Sequence, residues 1–441
     1  MIALLLCAIG ALAAFFVGRR SLAAGCLVVA AFGYVYGILR ANLFTAFSHF
    51  IFDAALVGLY AAVFLPNAKN KDGKLPGSGL STWMWLLMGW PLVLVFMPFQ
   101  PLLVSIVGLR GNMFLLPVAL IGSRLRSKDL RMIALGLAVL NLVAMGFAIA
   151  EYFRGIEPFF PVGPMTTTIY NSQDSGGGYR IPSLFQNAHT YGSVMVDTIP
   201  FLFGAWALTV GTRKQKMLLV AGLVTAFFGV LMAATRVGLI SAVFMVILAA
   251  TSGKLGAMKR WIWLVVIAGV IFAASHNDRW QRYKELDTTT ITERIGGSVN
   301  RTFLEILLEY PMGNGLGGGG TSIPYFLASQ VNHPVGVENE YGRILLEQGI
   351  IGLLLWIGFG IWVGTNRVAL VKDHWYTGRR MAWYFSIFTL ATAVIGVGLM
   401  SAIPHTFFFM LLLGWSAVAP LRERQPGPFV IRRAAAVPVM S

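Results

Sequence analysis

The 441 residues are 57% hydrophobic and 12% charged, about half the ~25% charged share of a soluble domain, and mean hydropathy is +0.72. Apolar runs of the roughly 17–25 residues needed to cross a ~30 Å hydrocarbon layer recur from one terminus to the other, which excludes an ordinary soluble domain. A net charge of +16 would suit a nucleic-acid partner if the basic residues lined a soluble face, but their distribution says otherwise.

Lipid offers no hydrogen-bond partners, so each apolar run must be a helix that satisfies its own backbone. The sequence therefore reads as an all-α polytopic membrane protein of about 13 transmembrane helices. The expected spans lie near 2–17, 22–39, 47–65, 83–97, 103–121, 132–151, 190–210, 217–234, 237–252, 260–275, 345–364, 382–401 and 404–419. The first run could pass for a secretory signal. Arg19 and Arg20 follow it rather than precede it, however, and no A-x-A site ends it, so it reads as a retained span. Cys7 and Cys26 both fall in apolar segments, as small packing residues rather than a disulfide framework.

Alternate connections carry most of the positive charge. The set Arg19–Arg20, Lys69–Lys74, Arg124–Arg131, Arg213–Lys216, Lys254–Arg260, Arg367–Arg380 and Arg422–Arg433 holds 23 of the 34 Lys and Arg but 4 of the 18 Asp and Glu. The positive-inside rule makes this set cytoplasmic, with the N-terminus outside and the C-terminus inside. The basic balance is a topology signal and excludes a nucleic-acid footprint.

Two connections on the outer side exceed plain turns, and loops of that length are usually functional or disordered. The chain divides accordingly into an N-terminal bundle (1–151), a first outer loop (152–189), central helices (190–275), a large outer loop (276–342), and C-terminal helices with a cytoplasmic tail (343–441). In the large loop, Ile295, Val299, Phe303, Ile306, Leu307 and Tyr310 recur at helical spacing and predict a helix from about Ser298 to Glu309, stopped by Pro311. Glycines crowd Gly313–Gly320, and a last helix begins near Val337. No internal repeat is evident.

Arginines outside the cytoplasmic set are the first chemical candidates, because a planar guanidinium matches phosphate or pyrophosphate. Arg180, Arg236, Arg294, Arg301 and Arg343 sit at outer edges or in the large loop. Arg236 is the sharpest, following Thr235 in a very short turn between two apolar spans, where an unpaired charge is costly. The bland alternative is an Arg snorkelling to headgroups. Arg110 lies mid-span and invites a buried partner such as Glu151 or Asp53. Glu338 opens the last helix-entering segment and could act as a general base on an acceptor hydroxyl, with His333 as a rival base. Helix-dipole stabilisation alone would also explain Glu338. Glu340 reads as a solvated partner, Glu347 as a buried, hydrogen-bonded acid, and Tyr341 as a secondary site candidate. The glycine run lacks the Lys-Ser/Thr of a P-loop, and the six histidines show no metal-ligand spacing, so neither a nucleotide, a cofactor nor a metal is indicated.

Four pieces within about residues 180–360 together resemble the bacterial O-antigen ligase and polymerase superfamily. They are Phe185-Gln186-Asn187-Ala188-His189, Thr235-Arg236-Val237-Gly238, Asn300-Arg301 leading to Tyr310-Pro311-Met312-Gly313-Asn314-Gly315, and Glu338-Asn339-Glu340-Tyr341 followed by Glu347-Gln348-Gly349. The resemblance implies a GT-C-type glycosyltransferase of the bacterial inner membrane, with the large loop periplasmic. It implies an undecaprenyl-pyrophosphate-linked glycan as donor and a saccharide or lipid A-core as acceptor. Guanidinium chemistry then makes Arg180, Arg236, Arg294 and Arg301 the candidates to hold the pyrophosphate, and the resemblance assigns the position of Glu338 to acceptor activation. Ligases of this family usually carry His where this chain has Glu338, which leaves polymerase and ligase both open. The competing class is a secondary transporter or flippase of lipid-linked oligosaccharide, which would place polar sites near the bilayer midplane on interrupted helices.

Overall fold

The computed structural model describes residues 1–66, 78–167, 169–170, 180–208, 211–251, 302–320, 322–337, 339–396 and 398–419. Among these, all regular structure is helical. In chain order the helices are α1 (Ile2–Arg20), α2 (Leu22–Asn42), a 3-10 turn Ala46–Phe50 running into α3 (Ile51–Phe64), α4 (Ser78–Leu94), α5 (Leu102–Met113), α6 (Pro117–Gly122) and α7 (Ser127–Arg154). Then follow α8 (Ala188–Ala207), α9 (Arg213–Ala233), α10 (Arg236–Ala250), α11 (Thr302–Glu309), a 3-10 turn Tyr325–Gln330, α12 (Glu340–Thr365), α13 (Tyr376–Thr392) and α14 (His405–Ala417).

Among the described residues seven segments are long and apolar enough to cross a membrane: Ile2–Arg20, Leu22–Asn42, Ala46–Phe64, Leu102–Gly122, Ser127–Arg154, Arg213–Ala233 and Glu340–Leu370. Three of the thirteen expected spans correspond to shorter apolar helices, Gly79–Leu94, Arg236–Ala250 and His405–Ala417. The expected spans 190–210 and 382–401 fall on α8 and α13, which are not among the seven, and 260–275 lies outside the described residues. The second of these is also displaced. Helix α13 stops at Thr392, before Gly396 and Gly398, because the carbonyls of Ala393 and Gly396 turn away to accept the N–H of Glu340 at 3.0 and 3.1 Å.

The bundle is apolar on its outer face and carries a set of polar side chains inside its apolar core. Leu4, Leu12 and Phe16 of α1, Val139 and Val143 of α7, Val224 and Phe228 of α9, and Leu354 and Ile361 of α12 are exposed, whereas Asn112, Asn141, Asp197, Arg343 and Glu347 are buried. A soluble monomer rarely exposes so much contiguous apolar surface. Helix α14 is sheathed on every side from Thr406 to Trp415, and α8 is buried around nearly its whole circumference. Small residues let α14 come close to α6: a Cβ on Gly122 or Gly414 would strike the carbonyls of Leu411 or Ala119. Close backbone approach of this kind drives helix association where solvent is itself apolar.

The glycine run Gly313–Gly320 is not a surface loop. It is buried from Gly313 to Gly319 and fills a break in α12. Gly349 has φ 67° and ψ −170°, a conformation open essentially only to glycine, and the helical bonds lost there are replaced from outside. Ile350 N–H donates to Pro311 O at 3.1 Å, Asn314 N–H to Leu346 O at 2.6 Å, and Trp90 Nε1–H to Gln348 O at 2.8 Å. The expected helix in the large loop is present as α11, Thr302–Glu309, and ends before Pro311; its expected first turn, 298–301, lies outside the described residues.

Candidate functional site

Arg236 opens α10 directly after a two-residue link from α9, in which Ala234 takes the left-handed conformation (φ 49°) and Thr235 is extended. The stretch 180–187 runs beside this turn, with Ile181 N–H donating to Met232 O at 3.3 Å. Asn187 then caps α8 by accepting the Thr190 N–H at 2.8 Å, so the sequence Phe-Gln-Asn-Ala-His is a helix start. The cap fixes His189 next to Arg180, whose Nη1 donates to His189 Nε2 at 2.8 Å. Because a guanidinium can only donate, His189 accepts there as a neutral ring. Thr235 lies against α8, within 2.8 Å of where a Cβ on Gly192 would sit. Arg180, His189 and Arg236 thus gather at one end of the bundle.

The segment around position 338 belongs to the same end. Helix α13 begins beside the finish of α10, where Arg380 Nη2 donates to Thr251 Oγ1 at 2.7 Å, and Phe244 stacks on Phe388 at 4.8 Å midway. The two helices are antiparallel, so the last turn of α13 lies at the Arg236 end, where Ala393 O accepts the N–H of Glu340. Asn339 caps α12 there by accepting the Gly342 N–H at 2.5 Å. Glu338, Arg294 and Arg301 themselves lie outside the described residues.

The two secondary candidates face elsewhere. Tyr341 Oη donates to Leu390 O at 2.8 Å and so points to α13. His333 is exposed, with φ 45°, and its carbonyl accepts from Asn314 Nδ2 at 2.8 Å. No described contact joins it to Arg180, His189 or Arg236.

Two expectations need correction. Glu340 is not a solvated partner but fully buried: Oε1 accepts from Arg343 Nη2 at 2.5 Å and Nε at 3.0 Å, and Oε2 from Gly398 N–H at 2.7 Å. Arg343 is not an available phosphate ligand, because its fork is spent inside the bundle on Glu340, on Glu347 Oε2 at 2.8 Å and on Asn112 Oδ1 at 3.1 Å. Both reversals have one cause. Asn112 of α5 and the backbone of Gly396 and Gly398, distant in sequence, close over the first turn of α12. Glu347 is the expected buried acid, also accepting from Asn112 Nδ2 at 2.6 Å and Gly319 N–H at 3.3 Å.

Of the two partners open to Arg110, Asp53 is the one found. It takes Arg110 Nη2 at 2.9 Å in a bidentate pair with Nε, while Glu151 instead accepts the Ser183 N–H at 2.8 Å. Beside that pair lies a group that sequence reasoning missed. Arg40, at the end of α2, donates to Gln186 Oε1 at 3.3 Å, and Ile38 N–H donates to Leu184 O at 3.0 Å, which fixes this end of α2 to the same 180–187 stretch. The usable signal was an arginine closing an apolar span on the side where the charge rule expects few.

An apolar groove of about 470 Å³ runs beside α12 and α13, lined by Phe303, Tyr341, Leu353, Ile357, Leu390 and Val394. Its polar end is at Tyr341, three positions after 338. Among the described residues no group of three or more His, Cys, Asp or Glu side chains is placed to hold a metal ion.

The fold defines the class: among the described residues, an all-helical protein with seven helical segments of membrane-crossing length and apolarity. No protein-family model matches the chain, and no curated protein matches it either.

Proposed function

We propose that the protein is an inverting, metal-independent glycosyltransferase of a bacterial inner membrane, moving a glycan from undecaprenyl pyrophosphate to a sugar hydroxyl of a growing polymer or a lipid A-core acceptor. The observation that carries this reading is the convergence of Arg180, His189 and Arg236 at the same end as Asn339 and Glu340, the residues that follow Glu338 in the sequence. Charge develops on the departing pyrophosphate, and guanidinium groups fixed by helix starts would stabilise it without reorganising. Glu338 would take the proton of the attacking hydroxyl, and Arg294 and Arg301 in the large loop are further candidates for the phosphates. The Tyr341 groove is wide and apolar enough for a prenyl chain approaching from lipid.

The second reading, a transporter or flippase, draws on the break in α12 at Gly349 and the buried Glu340–Arg343–Glu347 charges, since transporters use interrupted helices. The two separate in one assay. Purified protein, lipid-linked glycan and acceptor in detergent should release polyprenyl pyrophosphate, and Arg236→Ala or Glu338→Gln should abolish the release while leaving folded protein. No release by the wild-type chain with any acceptor, or full release by both variants, would remove the transferase reading.

A further inference from the structure

The Arg40 group has the composition of an anion site in its own right. Tyr36 and Arg40 come from α2, His49 from the 3-10 turn, Asp53 from α3 and Arg110 from α5. The Tyr36 hydroxyl donates to His49 O at 3.2 Å and interacts with both the Arg40 and the Arg110 guanidinium groups. Among the described residues the one carboxylate in the cluster is Asp53, and it is paired with Arg110. Within that set the Arg40 charge is left over. Two nitrogens in the cluster are also unspent: among the described residues, Arg40 Nε and His49 Nε2 are buried with no hydrogen-bond partner, and His49 is 7% exposed. A buried guanidinium N–H without an acceptor costs about 1–3 kcal/mol, so the orphaned Arg40 Nε beside the imidazole points to an acceptor that binds there. Tyr325 and Phe326 lie against the His49 ring at 6.3 and 5.7 Å, and these exposed rings cover the cluster from the 302–337 segment. The Arg110 side chain keeps 25% of its surface open.

We propose that Tyr36, Arg40, His49 and Arg110 form a phosphate-binding subsite separate from Arg180 and Arg236. The requirement is chemical: several oxygens on one tetrahedral centre can accept from a guanidinium edge and an imidazole N–H together. Gln186 connects the two places, bonding Arg40 on one side and Thr190 Oγ1 at 3.5 Å on the other. The subsite deepens the transferase reading, but its test needs no transfer.

The full-length protein in detergent is titrated with farnesyl pyrophosphate, inorganic pyrophosphate and farnesol. The starting background is Arg180→Ala/Arg236→Ala, which removes the two candidate phosphate ligands placed at the other end of the Gln186 stretch. This double variant should still bind pyrophosphate, and adding Arg40→Ala should weaken that binding by about tenfold or more. Arg40→Lys, which keeps the charge without the fork, should fall between and guards against a merely misfolded Ala variant, as does an unchanged melting transition. Tighter binding of the farnesylated probe identifies a lipid-borne phosphate, and equal binding of inorganic pyrophosphate a free one. Either supports the subsite. Loss of all binding in the double variant, or binding unchanged by Arg40→Ala, overturns it. If the wild-type chain transfers no glycan yet this titration behaves as expected, the subsite stands and the transferase reading alone falls.

Discussion

Arg343→Met tests whether the buried charge network holds the first turn of α12. Arg343 donates four hydrogen bonds, at 2.5, 2.8, 3.0 and 3.1 Å, to Glu340, Glu347 and Asn112, and neither carboxylate has any solvent exposure. Methionine fills a similar volume but leaves two carboxylates buried without their cation. Breaking one buried pair by removing a partner costs about 3–5 kcal/mol, and here two are broken. The carboxylates keep other donors, Gly398 N–H for Glu340 and Asn112 Nδ2 with Gly319 N–H for Glu347. Those donors offset the second loss, so about 3–5 kcal/mol is expected in total rather than twice that. Unfolding of the purified protein in mixed micelles with increasing denaturing detergent reads it. The triple variant Arg343→Met/Glu340→Gln/Glu347→Gln removes the stranded charges and should recover most of the loss. A single variant within about 1 kcal/mol of the wild type, or a triple variant no better than the single, refutes the argument, because the charges would then be reaching water.

Three further outcomes are expected. Gly349→Ala forces a side chain onto φ 67°, with its Cβ 2.6 Å from the Met312 carbonyl carbon, and should cost about 2 kcal/mol or more, while Gly360→Ala on the same helix meets nothing within 4 Å and should be neutral or slightly stabilising in the same unfolding titration. With Cys7 and Cys26 replaced by Ala, single cysteines at 180, 236 and 338 should react with a membrane-impermeant thiol reagent from one side, and a cysteine at Arg213, at the opposite end of α9, only from the other. Labelling of 338 from the Arg213 side would separate the base from the arginines and end the shared-site model. Release of polyprenyl pyrophosphate should be unchanged by EDTA, and a loss restored by a divalent cation would show that guanidinium groups alone do not carry the leaving group's charge.

What the sequence made legible follows from short-range physics. Apolar length and period locate the helices, Pro311 ends α11, and the absence of residues between Ala234–Thr235 and the flanking runs makes the Arg236 turn tight. A charge in mid-span demands a counter-charge, so Arg110 could be expected to find an acid, and Asp53 was one of two in reach. The errors come from contacts between distant segments. A carboxylate in a first helical turn is ordinarily bathed in water; Glu340 is not, because a turn 58 residues on closes over it. The chain just past α13 is held in the same way, since the carbonyls of Ala393 and Gly396, beyond its end at Thr392, accept the Glu340 N–H. The glycine run was legible only as something other than a P-loop, because it lacks the Lys-Ser/Thr. Only with Gly349 broken open does the run 313–320 have something to fill, and its positive φ values of 89°, 87°, 87° and 68° at Gly313, Gly315, Gly317 and Gly320 fit its chain into the gap.

That filled gap also bears on which of the two functional readings the architecture favours. A helix break that works as a transport gate presents its freed carbonyls and amides to an ion or substrate, in a cavity that opens alternately to each side. In α12 the freed groups are spent on Pro311, Asn314 and Trp90, and Glu347 is tied to the same loop through Gly319. A Cβ on Gly108 of α5 would strike Gly317, so the loop is wedged between two helices with no room to slide. The interruption therefore works as a keyed joint. The first turn of α12 is pinned separately, with Asn339 as its cap and Glu340 anchored to Gly398. A rigid support is what a base held at a fixed distance from phosphate-binding arginines requires, and it is what an alternating gate has to give up.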